Sequence, residues 1–122
     1  MSIETIRKPH WFYFRCEGEM YFRDLVQGLR DAHNQFNPLR HSLWDFRRAD
    51  VSTFSAEDFK KVGEAGASFA AKRGEGAKTA FLVTTDAEVL MFRAFTAMAS
   101  TVSPVEFQAF TDETAAQNWL ME

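Results

Sequence analysis

The chain has 122 residues, a net charge of −3 and a single cysteine. That length fits one domain, 1–122, which buries roughly two-thirds of its unfolded surface without metal or disulfide staples. The acidic balance, with no Lys/Arg run longer than two, excludes a nucleic-acid-binding footprint. Cys16 has no intrachain partner, in keeping with a reducing compartment. Met1 to Arg7 lacks the apolar stretch of a secretion signal. No apolar run approaches the roughly 20 residues of a membrane span. A soluble cytoplasmic protein is expected.

Thirteen Phe, three Trp and two Tyr supply the core volume. Ile3 to Ile6 reads as a short strand, and Arg7-Lys8-Pro9-His10 as a turn that pairs it with the next strand in an edge hairpin. That next strand is aromatic and β-prone, Trp11-Phe12-Tyr13-Phe14-Arg15-Cys16, with Gly18 as its stop. Phe22, Leu25, Val26, Leu29, His33 and Phe36 follow helical spacing, and Asn37-Pro38 ends the helix because a residue before proline avoids the α region. Ser42 to Phe46 is the second main strand. Phe59, Val62, Gly66, Phe69 and Ala70 mark one helix, on which Gly63 and Gly66 allow close backbone approach. Gly74-Glu75-Gly76 ends it. Thr79 to Thr84 is apolar and partly β-branched, a central strand buried on both faces. Val89, Leu90, Phe92, Phe95, Met98 and Ala99 give another helix. Pro104 to Phe110 is the last strand, and Ala115, Ala116, Trp119 and Leu120 close the chain as a short helix. This β-α alternation with short links predicts an α/β fold with a mainly parallel sheet. Trp44, Phe81, Val83 and Phe107 are its expected core, with Leu25, Leu29, Phe69 and Phe95 packed onto it.

Chemistry-bearing motifs are sparse. Ser55-Ala56-Glu57-Asp58 fits a variant capping box, with the Ser55 hydroxyl accepting from a first-turn N–H and Asp58 bonding back. Thr85 and Glu88 have the same spacing. Asp45 lies beside Arg47 and Arg48, so an ion pair or turn hydrogen bond is expected of it before catalysis. His10, His33 and His41 are scattered and none has metal-ligand spacing, so no metal is expected. Cys16 reads as a buried structural thiol without an activating base. There is no GxSxG, GxGxxG or Walker loop, and no cofactor is expected. Met91, Phe92, Phe95 and Met98 have two readings. They could line an apolar pocket, since flexible Met and broad aromatic faces suit such sites. They also fit an ordinary core-facing helix stripe.

Leu43-Trp44-Asp45-Phe46-Arg47, the Ser-initiated helix after it, the strand near Thr79–Val83, and the ending Ala116-Gln117-Asn118-Trp119-Leu120 resemble the SpoIIAA-like branch of the STAS superfamily, which is similar to bacterial anti-anti-sigma factors. The resemblance implies a four- or five-stranded mixed sheet, mainly parallel, with helices packed largely on one face. It also implies a non-enzymatic regulatory or protein-interaction module. In signalling members a Ser at the start of the helix after the second core strand is phosphorylated. The matching segment here is Asp50, Val51, Ser52, Thr53, Phe54 and Ser55. Phe54 stands near the place of a Gly in the family's Asp-Ser-Ser-Gly-type loop. Ser52 is the better acceptor candidate, because Ser55 already serves as a cap and is followed by the acids Glu57 and Asp58, which disfavour a phosphate. The loop, with Phe54 as its adjacent aromatic, is expected to be a surface recognition element for a protein partner, with a homodimer also compatible. The alternative reading is a binder of a lipid or other apolar small molecule between the sheet and the Phe/Met-rich helices, since the wider group is similar in fold to CRAL-TRIO-type lipid-binding domains.

Overall fold

A computed structural model describes residues 2–36 and 40–122. Their element order is β1 (Ser2–Arg7), β2 (Trp11–Glu19), α1 (Phe22–Gln35), β3 (His41–Asp50), α2 (Ala56–Ala67), α3 (Ala70–Arg73), β4 (Lys78–Leu82), α4 (Asp86–Ser100), β5 (Glu106–Phe110) and α5 (Glu113–Leu120). One sheet has the order β1-β2-β3-β4-β5. β2 to β5 run parallel, and β1 pairs antiparallel with β2 as the edge hairpin the sequence predicts. The sheet is therefore mixed and mainly parallel, in an α/β fold.

Alternation along each strand sorts side chains between two faces. Register brings Phe14, Trp44, Phe81 and Ala109 into one row, and Phe12, Ser42, Thr79 and Phe107 into the next. These rows form the front face, and the helices α1, α2 and α4 supply Leu25, Leu29, Phe59, Phe92 and Phe95 to the same core. The back face carries Leu43, Ala80 and Leu82, covered by Ala116 and Leu120 of α5. Helices thus lie largely on one face, with α5 as the exception. Of the core expected from sequence, Trp44, Phe81, Val83, Leu25, Leu29 and Phe95 are buried; Phe107 and Phe69 are half-buried against it.

Three local expectations change, and a fourth is not covered. Gly18 does not stop β2: the strand continues to Glu19 through Gly18 at φ 84°, a backbone state that glycine adopts without Cβ clash. The pairing shifts between Arg15 and Glu17, where β3 carries one extra residue, a bulge past which the pairing continues to Glu19 and Asp50. The single helix expected from Phe59 to Ala70 is two, α2 and α3, broken at Ser68–Phe69. The Asn37-Pro38 stop lies outside the described residues. Finally, the two glycines of α2 differ. A Cβ on Gly63 would sit 2.8 Å from both the Cα and the carbonyl oxygen of Ala99 on α4, so only glycine lets these helices meet. A Cβ on Gly66 would meet nothing within 4 Å.

That contrast sets opposite expectations for one chemical change. Gly63→Ala forces backbone apart and should cost about 1–3 kcal/mol. Gly66→Ala removes chain entropy from the unfolded state and should gain about 0.5–1 kcal/mol. Urea unfolding of the two variants beside the parent protein measures both, and effects of the same sign would contradict the packing described.

Candidate functional site

Parallel strands end together, and their carboxyl edge is where loops carry recognition groups in α/β sheets. Here that edge includes the turn from β3 into α2. Asp50 is exposed and its carboxylate accepts from the Ser52 amide at 2.9 Å. The Ser52 hydroxyl and then its amide hold the Asp50 carboxyl below its ordinary value. Val51 closes a four-residue turn by accepting from the Phe54 amide at 3.1 Å. Thr53 donates its hydroxyl to the Met20 carbonyl, and the Met20 amide donates to the Asp50 carbonyl at 3.0 Å, so the end of β2 grips the turn from the side. Ser52 and Ser55 are exposed and Thr53 is half-buried.

Phe54 is not a surface aromatic. It is 6 % exposed, with its ring edge-on to Phe59 at 5.5 Å and to Phe46 at 5.8 Å. Burial of the apolar ring outweighs its position in a polar loop, so it anchors the turn and presents nothing to a partner. Ser55 is the N-cap of α2: its hydroxyl accepts from the Asp58 amide at 3.2 Å and Asp58 accepts from the Ser55 amide at 3.3 Å. Thr85 and Glu88 form the same reciprocal cap on α4. Ser52 is left as the loop's exposed hydroxyl outside a helix cap.

Asp45 is buried on the back face. It accepts from Arg47 through Nε at 3.0 Å, Nη2 at 2.9 Å and the backbone amide at 3.1 Å, and from the Tyr13 hydroxyl. Arg47 also reaches Glu113 on α5 at 2.8 Å. Burial alone would raise the Asp45 carboxyl, but the hydrogen bonds from Arg47 and Tyr13 outweigh it and hold the group below its ordinary value. Burial and the Asp45 carboxylate push the Tyr13 phenol up to about 12. This is an ion-pair network that ties α5 to the sheet. Cys16 is fully buried and burial raises its thiol above its ordinary value, as a structural thiol requires.

The four apolar residues divide between the core and the flank of α4. Phe92 and Phe95 are buried in the aromatic core, 5.5 Å apart, and Met91 and Met98 are half-buried on the same helix. A small cavity does lie between sheet and helices, but its volume is about 30 Å³ and its walls include Leu25, Trp44, Val62, Arg73 and Phe81. Among the described residues no three His, Cys, Asp or Glu side chains are grouped to hold a metal. No helix is long and apolar enough to cross a membrane.

Sequence reasoning passed over Arg73, which follows Lys72 in what looks like a solvated last turn. The side chain is 6 % exposed and spans the starts of β3 and β4, donating to the carbonyls of Arg40 and Lys78 at 3.0 Å each. Burial lowers its guanidinium to about 10, so it stays charged at neutral pH. The available signal was the pair Ser42 and Thr79, hydroxyls that interrupt two otherwise apolar strands at facing positions.

The same end of the sheet holds two neutral histidines. The His33 ring stacks on Phe69 at 4.4 Å, and its Nδ1 is buried without a partner among the described residues. Burial, then the charges of Arg73 and Lys72, lower it to about 4. His41 Nδ1 accepts from the Lys78 amide at 3.1 Å. Burial and then Lys78, Arg40, Arg73 and His10 lower it to about 4 as well. His10 is exposed.

In a comparison with solved structures, the chain matches the crystal structure of an uncharacterized protein from the DUF3478 family with a SpoIIAA-like fold, from Shewanella loihica PV-4. The TM-score is 0.58 at 20% sequence identity, over 98% of this chain and 92% of that one. The match carries the fold: this chain has a SpoIIAA-like fold. No family model matches the chain, and no curated protein matches it in sequence.

Both histidines are less basic folded than unfolded, which sets the sign of the pH dependence. Their contribution is complete above the ordinary value of 6.5 and is lost as pH falls from there to about 4. Stability measured by urea unfolding should drop across that interval. In a His33→Phe, His41→Asn protein the drop should be shallower, because neither replacement can take up a proton. An identical slope in both proteins would contradict the burial described.

Proposed function

We propose that the chain is a non-enzymatic protein-interaction module of the STAS type, read by a protein partner at the Asp50–Ser55 loop and regulated by phosphorylation of Ser52. One observation carries this reading. The loop is locked from beneath by Val51 and Phe54 and from the side by Thr53, which leaves the Ser52 hydroxyl exposed on a rigid turn. A rigid element loses little conformational entropy when a partner docks on it. The Asp50 carboxylate sits against Ser52, so a phosphate added there would place two anions together and oppose the hydrogen bond that shapes the turn. Acidic Glu57 and Asp58 in the first turn of α2 act in the same direction. Charge repulsion at this point is a means of switching the surface. The SpoIIAA-like fold supports the module in general terms. The cavity between sheet and helices supports no lipid reading, since it holds about 30 Å³ where an apolar ligand needs several hundred.

The test separates the two serines. Protein purified from its own host should carry phosphate on Ser52 by peptide mass mapping. Ser52→Asp should change the affinity for whichever partner co-purifies, with Ser52→Ala locked in the opposite state and the fold intact in both. Ser55→Ala should lower stability by about 0.5–2 kcal/mol through loss of the cap and leave partner binding unchanged. Absence of phosphate at Ser52 together with unchanged binding by both Ser52 variants would overturn the reading. Loss of binding in Ser55→Ala without loss of stability would move the role to Ser55.

A further inference from the structure

Arg73 is a full charge inside the protein, and its surroundings do not neutralise it. Its acceptors are the carbonyls of Arg40 and Lys78 and the hydroxyls of Thr79 at 3.2 Å and Ser42 at 3.5 Å, all of them neutral. Every acidic residue of the chain is among the described residues, and the ion pairs there join Arg15 to Glu17 and Arg47 to Asp45 and Glu113, none of them to Arg73. Its nearest ionisable neighbours are basic. His33 feels Arg73 and Lys72, and His41 feels Lys78, Arg40 and Arg73. A buried charge is ordinarily paired, because its lost hydration is large and partial charges replace only part of it.

Hydrogen-bond arithmetic points the same way. Ser42 Oγ and Thr79 Oγ1 are 3.0 Å apart, so one hydroxyl donates to the other. The second hydroxyl hydrogen has no acceptor among the described residues. An uncompensated charge and a spare O–H therefore meet at one place, both in the wall of the cavity of about 30 Å³ between sheet and helices. The rest of that wall is mainly apolar, with Leu25, Leu29, Val62, Phe81 and Phe107. A cavity of this size admits a single guest about as large as a water molecule or slightly larger.

We propose that this cavity is a binding site for one monatomic anion of chloride's size, held by Arg73 with the Ser42–Thr79 hydroxyl pair. Water would satisfy the spare hydrogen and leave the charge uncompensated; a halide does both. The apolar wall favours bromide and chloride over strongly hydrated fluoride. The site lies where β3, β4, α1, α2 and α3 converge, so occupancy ties the helix layer to the sheet. This inference is independent of the Ser52 reading, since it concerns the opposite end of the strands.

Two measurements decide it. In crystals grown with bromide in place of chloride, anomalous scattering should show a peak inside the cavity, next to Arg73 and Thr79. In solution, chloride replaces gluconate at constant ionic strength. The melting midpoint of the parent protein should rise by about 4–8 °C per tenfold increase in chloride once the site fills. Thr79→Val, which removes the hydroxyl and keeps the shape, should lose that dependence; Ser42→Ala serves if Thr79→Val does not fold. A cavity free of bromide overturns the proposal without any variant, whether or not bromide is found on the surface. So does a chloride dependence equal in parent and variant, which would be a general salt effect around a water-filled or empty clamp.

Discussion

A band of aromatic rings crosses the front of the sheet, and the rest of the structure is arranged around it. Phe14 stacks on Trp44 at 3.9 Å, Trp44 on Phe46 at 6.3 Å, and Phe46 on Phe81 at 5.8 Å. Phe59 of α2 and Phe92 of α4 close over the band at 5.6 and 5.4 Å from Phe81. Rings of this size bury large apolar areas and accept only offset or edge-on neighbours, so they restrict how the helices can sit. The helices in turn must come close enough to cover them. Gly63, with the Ala99 backbone where a Cβ would be, shows how little room α2 and α4 leave each other.

Phe54 connects that core to the candidate site. Its ring belongs to the aromatic band while its backbone belongs to the turn that presents Ser52. The shape of the loop is thus a consequence of core packing, reinforced by the cap on Ser55 and the hydroxyl bond from Thr53 to Met20. A glycine at position 54 would leave the turn without this anchor.

The two faces of the sheet handle charge differently. On the back face Asp45, Arg47 and Glu113 form a chain of opposite charges that reaches solvent through Arg47 and fastens α5. On the front face Arg73 is alone among carbonyls and hydroxyls, at the end of the strands where the neighbouring ionisable groups are basic. The depressed basicity of His33 and His41 comes from burial first and then from the basic groups gathered there, Arg73 among them. Fold alone assigns no chemistry to either cluster, because one architecture carries many unrelated functions.

Local patterning in the chain was enough to determine the strands, most helices, the edge hairpin and the two capping boxes. Those features depend on neighbours within a few residues, on alternation and on side chains that bond their own backbone. Leu43–Arg47, the Ser-initiated helix after it, the strand near Thr79–Val83 and Ala116–Leu120 together indicated the SpoIIAA-like fold. Tertiary structure decided what depends on residues far apart. Phe54 reads as a loop aromatic until Phe46 and Phe59 surround it. Gly63 and Gly66 look alike until Ala99 approaches one of them. Arg73 looks like a solvated helix-end cation until the starts of β3 and β4 close around it. Burial is a property of the assembled layers, and no window of sequence contains it.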